Sequence, residues 1–566
     1  MIPRILAALA APFVLAACAT APAQHPLAAA SSPGLVSAAD PRAAEAGAAM
    51  LRAGGSATDA AIATMLALSV VEPQSSGIGG GGFYVRATPE GTVETIDGRE
   101  TAPAAAGPDW FLDEAGKPFA YRPTVLSGRS IGVPANIALA RDAHRRHGKL
   151  AWSRLFAPAI ALAEDGWTVT PRFREFLVRA KDAASRDPAG RALFYNSTGE
   201  PVPLGTVVRN PALARSLRTI ARGGPDAFYK GPLARAIADK VSADTPGGKA
   251  MTAADLADYR AKDRPSVCGT YRAYRICGMG PPSSGATTVL AILGQLERFD
   301  MAALGPGSPV AWHLFAESQR LAYADRDVFV ADPDFVTVPV ERLIAPDYLK
   351  ARGGLIAPDR TMPTVTAGRR DLALAPGEGP PEQGTSHFVA VDRHGEAISY
   401  TSTVEGGFGS GLVVGGFYLN NELTDFSFVP EKDGRTVANR VEGGKRPRSS
   451  MAPTVVYAPD GSLLMAVGAA GGATIPVQVS RVLIGVIDFK LPLDQALALP
   501  VLFAPGEVIS VEQGSALEAM IPALKALGHA QVTARVLPLK ANAAIRIDGR
   551  WHGAADPRSE GRSVPE

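Results

Sequence analysis

The chain has 566 residues, 46% of them hydrophobic, enough to bury a sizeable core in one large layered unit or two domains. Lys and Arg number 57 against 55 Asp and Glu, and no basic run exceeds a few residues, which argues against nucleic acid or bulk anionic lipid as a partner. Three cysteines at wide spacing argue against zinc and against cysteine catalysis.

Arg4 is followed by an apolar run, 5–17, that ends in Leu15-Ala16-Ala17-Cys18. The run is too short to span a bilayer, and 1–17 reads as a secretory signal peptide. Leu-Ala-Ala-Cys resembles the bacterial lipobox, which would make Cys18 a lipidated first residue, anchored to a membrane without a spanning helix. The other reading is a plain signal peptide cut elsewhere. Residues 18–33 are rich in Ala, Pro and Ser and read as a tether. Export to the periplasm or cell envelope follows from either reading of the leader.

Asp40-Pro41 is a helix start, and Gly54-Gly55 stops that helix. Ser56 and Asp59 form a capping-box signal for a second helix that runs to about 71. Gly77-Ile78-Gly79-Gly80-Gly81-Gly82 matches a dinucleotide fingerprint formally, but a helix precedes it and a strand, 83–86, follows. That order is reversed, so a packed glycine turn is the better reading. Residues 131–147, 152–165 and 308–325 carry apolar residues at helical spacing. His144 and His147 lie among arginines and read as a solvated face rather than metal ligands. Cys268 and Cys277 flank a tight hairpin centred on Arg272-Ala273 that makes them face each other. A disulfide suits an exported chain, and two buried thiols are the alternative.

Residues 356–384 hold five prolines and four glycines and read as an exposed linker. Beyond it the texture changes. Residues 387–392 and 397–403 alternate apolar and polar around a turn at 393–396, a hairpin with one buried face. Further strands are expected at 454–457, 463–467 and 543–547, with a helix at 475–487. The chain is thus helix-rich first and sheet-rich last, an α/β protein with antiparallel sheets flanked by helices.

No His-Glu-x-x-His, Walker loop or G-x-S-x-G elbow is present. What remains is Gly384-Thr385, where the linker meets the first strand. An N-terminal threonine, once freed, is self-sufficient: its α-amine titrates near neutral pH and can take the proton of its own hydroxyl.

Gly384-Thr385-Ser386-His387 with Asp392 and Gly395 resembles the start of the small subunit of γ-glutamyltransferases, which belong to the Ntn-hydrolase superfamily. Matching runs extend in order from about 34 to 560. They include Gly54-Gly55-Ser56-Ala57-Thr58-Asp59, Gly79 to Phe83, Gly280-Pro281-Pro282-Ser283-Ser284-Gly285, Tyr323 to Arg326, Lys445 to Thr454 and Ala555-Asp556-Pro557-Arg558. The resemblance implies an αββα sandwich of two antiparallel sheets flanked by helices. A proenzyme would build it, cut between Gly384 and Thr385 into a large subunit, 34–384, and a small subunit, 385–566, that stay together as a heterodimer. It implies Thr385 as nucleophile, Thr403 as the hydroxyl that tunes it, and Gly471 and Gly472 as the oxyanion hole. Arg99, Ser449 and Ser450 would hold the substrate α-carboxylate, and Glu405, Glu422 and Asp425 its α-amine. The substrates implied are glutathione and related γ-glutamyl compounds, with water, amino acids or peptides as acceptors and no cofactor or metal. Departures fall at Glu405, where some members carry asparagine, at Ala469-Ala470, where Ser-Pro is common, in a short loop from 426 to 445, and after Leu499. The rivals are a cephalosporin (glutaryl) acylase of the same superfamily and an inactive peptide-binding envelope lipoprotein.

Overall fold

A computed structural model describes residues 30–248, 250–368, 374–375 and 384–566. The leader at 1–17, Cys18, most of the 18–33 tether and much of the 356–384 linker lie outside the described residues. Helix α1 (Pro41–Arg52) starts on Asp40, whose carboxylate accepts from the Arg42 N–H at 2.8 Å. Helix α2 (Ala57–Val71) starts on the reciprocal Ser56/Asp59 box. Every residue of α2 is buried, so it has no polar face to present and lies wholly inside the protein.

The principal strands, in chain order, are β1 (Ala30–Ser32), β2 (Leu35–Ala38), β3 (Gly81–Ala87), β4 (Val93–Gly98), β5 (Lys262–Arg264), β6 (Val267–Tyr271) and β7 (Tyr274–Gly278). They continue with β8 (Gly384–Val391), β9 (Ala397–Glu405), β10 (Thr454–Tyr457), β11 (Leu463–Ala470), β12 (Lys540–Ile547), β13 (Arg550–Ala555) and β14 (Arg562–Pro565). They form two seven-stranded sheets, ordered β14-β2-β8-β9-β3-β4-β5 and β1-β13-β12-β11-β10-β7-β6. Every neighbouring pair in both is antiparallel. Helices α1 and α2 cover the first sheet. Helices α3 (Gly285–Leu296) and α5 (Ile475–Ile487) cover the second, and α4 (Pro309–Phe329) packs on α3. This is the αββα sandwich.

Alternation along β8 distributes the strand between two cores. Phe388 and Ala390 belong to the core shared with α1 and α2, while Val389 and Val391 belong to the core between the sheets. The 387–403 hairpin therefore buries both faces rather than one, because β8 and β9 lie at the centre of an inner layer. Each fully buried large side chain there, such as Phe388 or Tyr400, contributes about 1.5–3 kcal/mol.

Other expectations shift in detail. The helix expected at 131–147 spans Asn136–His147, because Val133 bridges to Thr101 and precedes Pro134, which holds it extended. The 152–165 segment breaks into Trp152–Leu155 and Ala157–Asp165, with Pro158 in the first turn of the second. His144 is half-buried rather than fully solvated: its Nε2 lies 2.8 Å from the Leu150 carbonyl and its ring meets Trp152 edge-on. Cys268 and Cys277 pair in register across β6 and β7 and are joined as a disulfide. The glycine turn packs against β9, where a Cβ on Gly80 would lie 1.9 Å from the Thr403 carbonyl oxygen. No helix among the described residues is long and apolar enough to cross a membrane.

Candidate active site

Register places Thr385 directly opposite Thr403, while Gly384 pairs with Glu405, so the ladder slips by one residue between Gly384 and Thr385. Such a bulge re-aims side chains. Glu405 completes it at φ +73°, a strained position for a residue with a side chain. The result brings four groups together. Thr385 Oγ1 lies 3.2 Å from Thr403 Oγ1, and Thr403 Oγ1 donates to the Gly384 carbonyl at 2.6 Å. The Glu405 N–H donates to Thr403 Oγ1 at 2.8 Å. A threonine hydroxyl has one proton and two lone pairs. With its proton on the Gly384 carbonyl, Thr403 accepts from Glu405 N–H and from the Thr385 hydroxyl. Thr403 thus polarises the peptide bond that precedes Thr385 and holds the Thr385 oxygen beside it. All four residues are buried.

Gly471 and Gly472 end β11 and lead through a short 3-10 turn into α5. The first backbone N–H groups of such a turn are not used inside it. Gly471 has φ +128°, and a Cβ there would lie 2.1 Å from the Pro538 carbonyl oxygen, so only glycine fits. Gly471 and Thr385 both line a cavity of about 230 Å³.

Behind Thr385 sits a buried ion pair. The Lys540 ammonium donates to Glu72 at 2.8 Å, and the Ser386 hydroxyl donates to the same carboxylate at 2.5 Å. Burial alone would raise the Glu72 carboxyl, but Lys540, helped by Arg172, holds it below the usual carboxylate range. Removing one partner of such a pair leaves a lone buried charge and costs about 3–5 kcal/mol.

Arg99 follows β4, with its N–H on Asp97 at 2.9 Å and its carbonyl accepting from the Tyr259 hydroxyl at 2.7 Å. Its guanidinium is wholly buried. It reaches both Glu422 and Asp425, which one 3-10 turn presents on the same side, and the carbonyls of Pro447 and Arg448 at 3.1 and 2.9 Å. The cationic and acidic ends set apart in the sequence reading are therefore in direct contact here. Ser449 Oγ accepts from the Met451 N–H at 3.1 Å, and Ser450 Oγ accepts from Arg326 at 2.6 Å. Glu405 takes a hydrogen bond from Asn421. Acid outnumbers base around Glu422. Burial pushes its carboxyl well up, Arg99 opposes this, and Glu100, Asp425 and Glu405 add to it. Burial likewise raises Glu100 to about 8, with Arg99 opposing. Such a cluster favours a further cation.

Sequence reasoning missed Glu72, Glu100, Ser386, Asn421 and Lys540. Glu100 directly follows Arg99, a signal that was available. Lys540 and Glu72 lie far apart in sequence and gave none. His387 is no catalyst: it is buried between the sheets, its Nδ1 is 2.9 Å from Thr401 Oγ1, and burial lowers it to about 3. His313, Glu317 and His529 are near enough to hold a metal ion. Their ligand atoms are already engaged, His313 Nδ1 with His529 Nε2 at 2.7 Å and Glu317 with Arg320, Thr361 and the Met362 N–H. The trio is satisfied as a structural network.

A model of the gamma-glutamyltranspeptidase family matches residues 43–565. The chain is 35% identical to the glutathione hydrolase proenzyme of Escherichia coli, over 93% of this chain and 90% of that protein. It is 36% identical to the acylase ACY 1 proenzyme of a Pseudomonas species, over 95% of this chain and 94% of that one. Its fold superposes on the crystal structure of cephalosporin acylase from Bacillus halodurans with a TM-score of 0.84 at 26% identity, covering 98% of this chain and 99% of the other. Matched along almost its whole length by the family model and by relatives above 30% identity, the chain belongs to the γ-glutamyltranspeptidase family of Ntn-hydrolases.

Proposed function

We propose that the chain is an autoprocessing γ-glutamyltransferase and glutathione hydrolase, which cuts its own Gly384–Thr385 bond and then carries a γ-glutamyl group on Thr385. The observation that carries this is the Thr403 hydroxyl between the Gly384 carbonyl and the Thr385 oxygen. In the first act Thr385 Oγ attacks the Gly384 carbonyl carbon and its hydroxyl proton passes to the peptide nitrogen. Thr403 stabilises the oxyanion, the peptide nitrogen leaves as the α-amine of Thr385, and water hydrolyses the resulting ester. In the second act the Gly384 carbonyl is gone, so the Thr403 proton turns to Thr385 Oγ. The new α-amine takes the hydroxyl proton as Oγ attacks a γ-glutamyl amide. Gly471 and Gly472 donate to that oxyanion. The α-ammonium returns that proton to the substrate amine, which leaves as the C–N bond breaks, and water, an amino acid or a peptide then takes the γ-glutamyl group and frees Thr385.

Arg99, Ser449 and Ser450 would take the substrate α-carboxylate while Glu405, Glu422 and Asp425 take its ammonium, so the zwitterion replaces the Arg99–acid contacts. Glutathione and related γ-glutamyl amides fit that description. Cutting need not release either fragment: β8 and β9 of the small subunit lie between β2 and β3 of the large one. Export, with Cys18 as lipid anchor, completes the reading, and a Cys18→Ser variant should lose membrane association.

The test of the main reading is direct. Purified protein should give two bands, the smaller beginning at Thr385, and Thr385→Ala should give one. A small fragment that begins elsewhere would refute it. The likeness to acylases supports a second reading, a glutaryl acylase. Turnover of a glutaryl anilide at or above the rate on the γ-glutamyl anilide would favour it.

A further inference from the structure

We propose that Arg172, on the wall of the cavity beside Thr385, sets a preference for leaving groups and acceptors that bear a carboxylate. The inference rests on Thr385 as the γ-glutamyl carrier. Thr385 and Gly471 line the cavity, whereas Arg99, Glu422 and Asp425 do not, so it lies on another side of the nucleophile from the acid–arginine cluster. A scissile amide held at Thr385 with its glutamyl end in that cluster sends its other end into this space.

The cavity wall carries four cations, Arg172, Arg179, Lys540 and Arg558. Three have carboxylate partners. Lys540 pairs with Glu72 at 2.8 Å, Arg558 with Glu512 at 2.8 Å and Asp556 at 2.7 Å, and Arg179 with Glu175 at 3.9 Å. Arg172 differs. Among the described residues no carboxylate lies within 4.0 Å of its guanidinium. One nitrogen reaches only the Arg558 carbonyl at 3.5 Å, and the Glu560 carboxylate is spent on the Arg172 backbone N–H at 3.0 Å. Its Nε is buried without a hydrogen-bond partner. Its guanidinium packs over the Phe176 ring at 5.5 Å, which fixes the plane of the fork. An oriented guanidinium with unused donors beside a nucleophile suits a planar carboxylate. The rim adds Val536, 80% exposed, as an apolar contact for a side chain. A short peptide with a free C-terminal carboxylate, as leaving group or acceptor, satisfies both features.

The experiment compares kcat/KM for glutathione and for its C-terminal amide, which differ only in that carboxylate, with γ-glutamyl-p-nitroanilide as a third substrate. The wild type should prefer glutathione by about five- to tenfold. Arg172→Met should bring the ratio close to one, and Arg172→Lys should keep part of it. Salt supplies a readout free of any folding defect, because the wild-type ratio should shrink toward one as ionic strength rises to about 0.5 M. An enzyme active on the anilide but indifferent to the carboxylate, or an Arg172→Met variant that keeps the wild-type ratio, overturns the inference and leaves the nucleophile reading intact. No turnover of any γ-glutamyl substrate by cleaved protein overturns both.

Discussion

The proposed nucleophile and the acid–arginine cluster are built in opposite ways. Thr385 and Thr403 face each other because two adjacent central strands share a register, so one hairpin and one bulge define the geometry. The cluster is gathered from four separate segments: the end of β4, the 422–425 turn, the carbonyls of 447–448 and the end of β9. The first region is neutral and its hydrogen-bond donors and acceptors are balanced around one hydroxyl. The second is charged and carries more acid than base. Rigid strand pairing suits a step that needs oxygen atoms held to tenths of an ångström. A charge-imbalanced, loop-built cluster suits recognition, since it stays unsatisfied until a ligand restores the balance.

Breaking the first region should have the larger effect. Thr403→Val keeps the shape and removes the hydroxyl proton that Thr403 donates to the Gly384 carbonyl. Loss of one such donor costs about a hundred- to a thousandfold. Self-cleavage, followed on gels over hours after synthesis, should slow by that order, and the cleaved fraction should turn over γ-glutamyl-p-nitroanilide comparably slowly. Thr403→Ser should restore most of both. Normal processing in Thr403→Val would dissolve the link between register and cleavage.

The second region should respond less and more selectively. Asp425→Ala removes one proposed ammonium acceptor and leaves Arg99 with Glu422. A missing charged hydrogen bond costs about 1–3 kcal/mol, roughly ten- to a hundredfold in kcat/KM on γ-glutamyl-p-nitroanilide. Glutaryl-p-nitroanilide lacks the amine and should lose far less, so the wild-type preference of at least about tenfold for the γ-glutamyl anilide should narrow. Equal losses on both substrates would mean that Asp425 supports the fold rather than the ligand.

The same contrast explains what the sequence disclosed. Local patterns read correctly wherever one segment contained its own signal, as with the Ser56/Asp59 box, the 475–487 helix and the hairpin that carries Thr385. The bulge at Gly384 was invisible, because a register slip depends on the partner strand. Burial of both hairpin faces was missed for a related reason: Ser386 and Ser402 look solvent-facing until Glu72 and Asn136 arrive from elsewhere to bond them. The Lys540–Glu72 pair spans the molecule and left no trace in either segment. The family resemblance supplied residue identities for the cluster, but not that Arg99 and its acids touch in the free protein.

The smallest effect is the most specific to charge imbalance. Burial holds the Glu100 carboxyl up at about 8, so below that pH it is protonated in the empty site. An ammonium ligand interacts better with the carboxylate, so the bound site has the lower pKa and binding must expel a proton. Affinity for an amine-bearing ligand should therefore climb as pH rises toward 8 and level off above it, at no more than tenfold per unit. Competitive inhibition by L-glutamate, measured from pH 6 to 8, should tighten by about three- to tenfold. Glutarate has no ammonium and, still held by its carboxylate, should show no such gain. Glu100→Gln, neutral at every pH, should flatten the glutamate trend while leaving glutarate unmoved. A glutamate trend that survives in Glu100→Gln would transfer the titration to Glu422, which burial also raises and which lies against the same guanidinium.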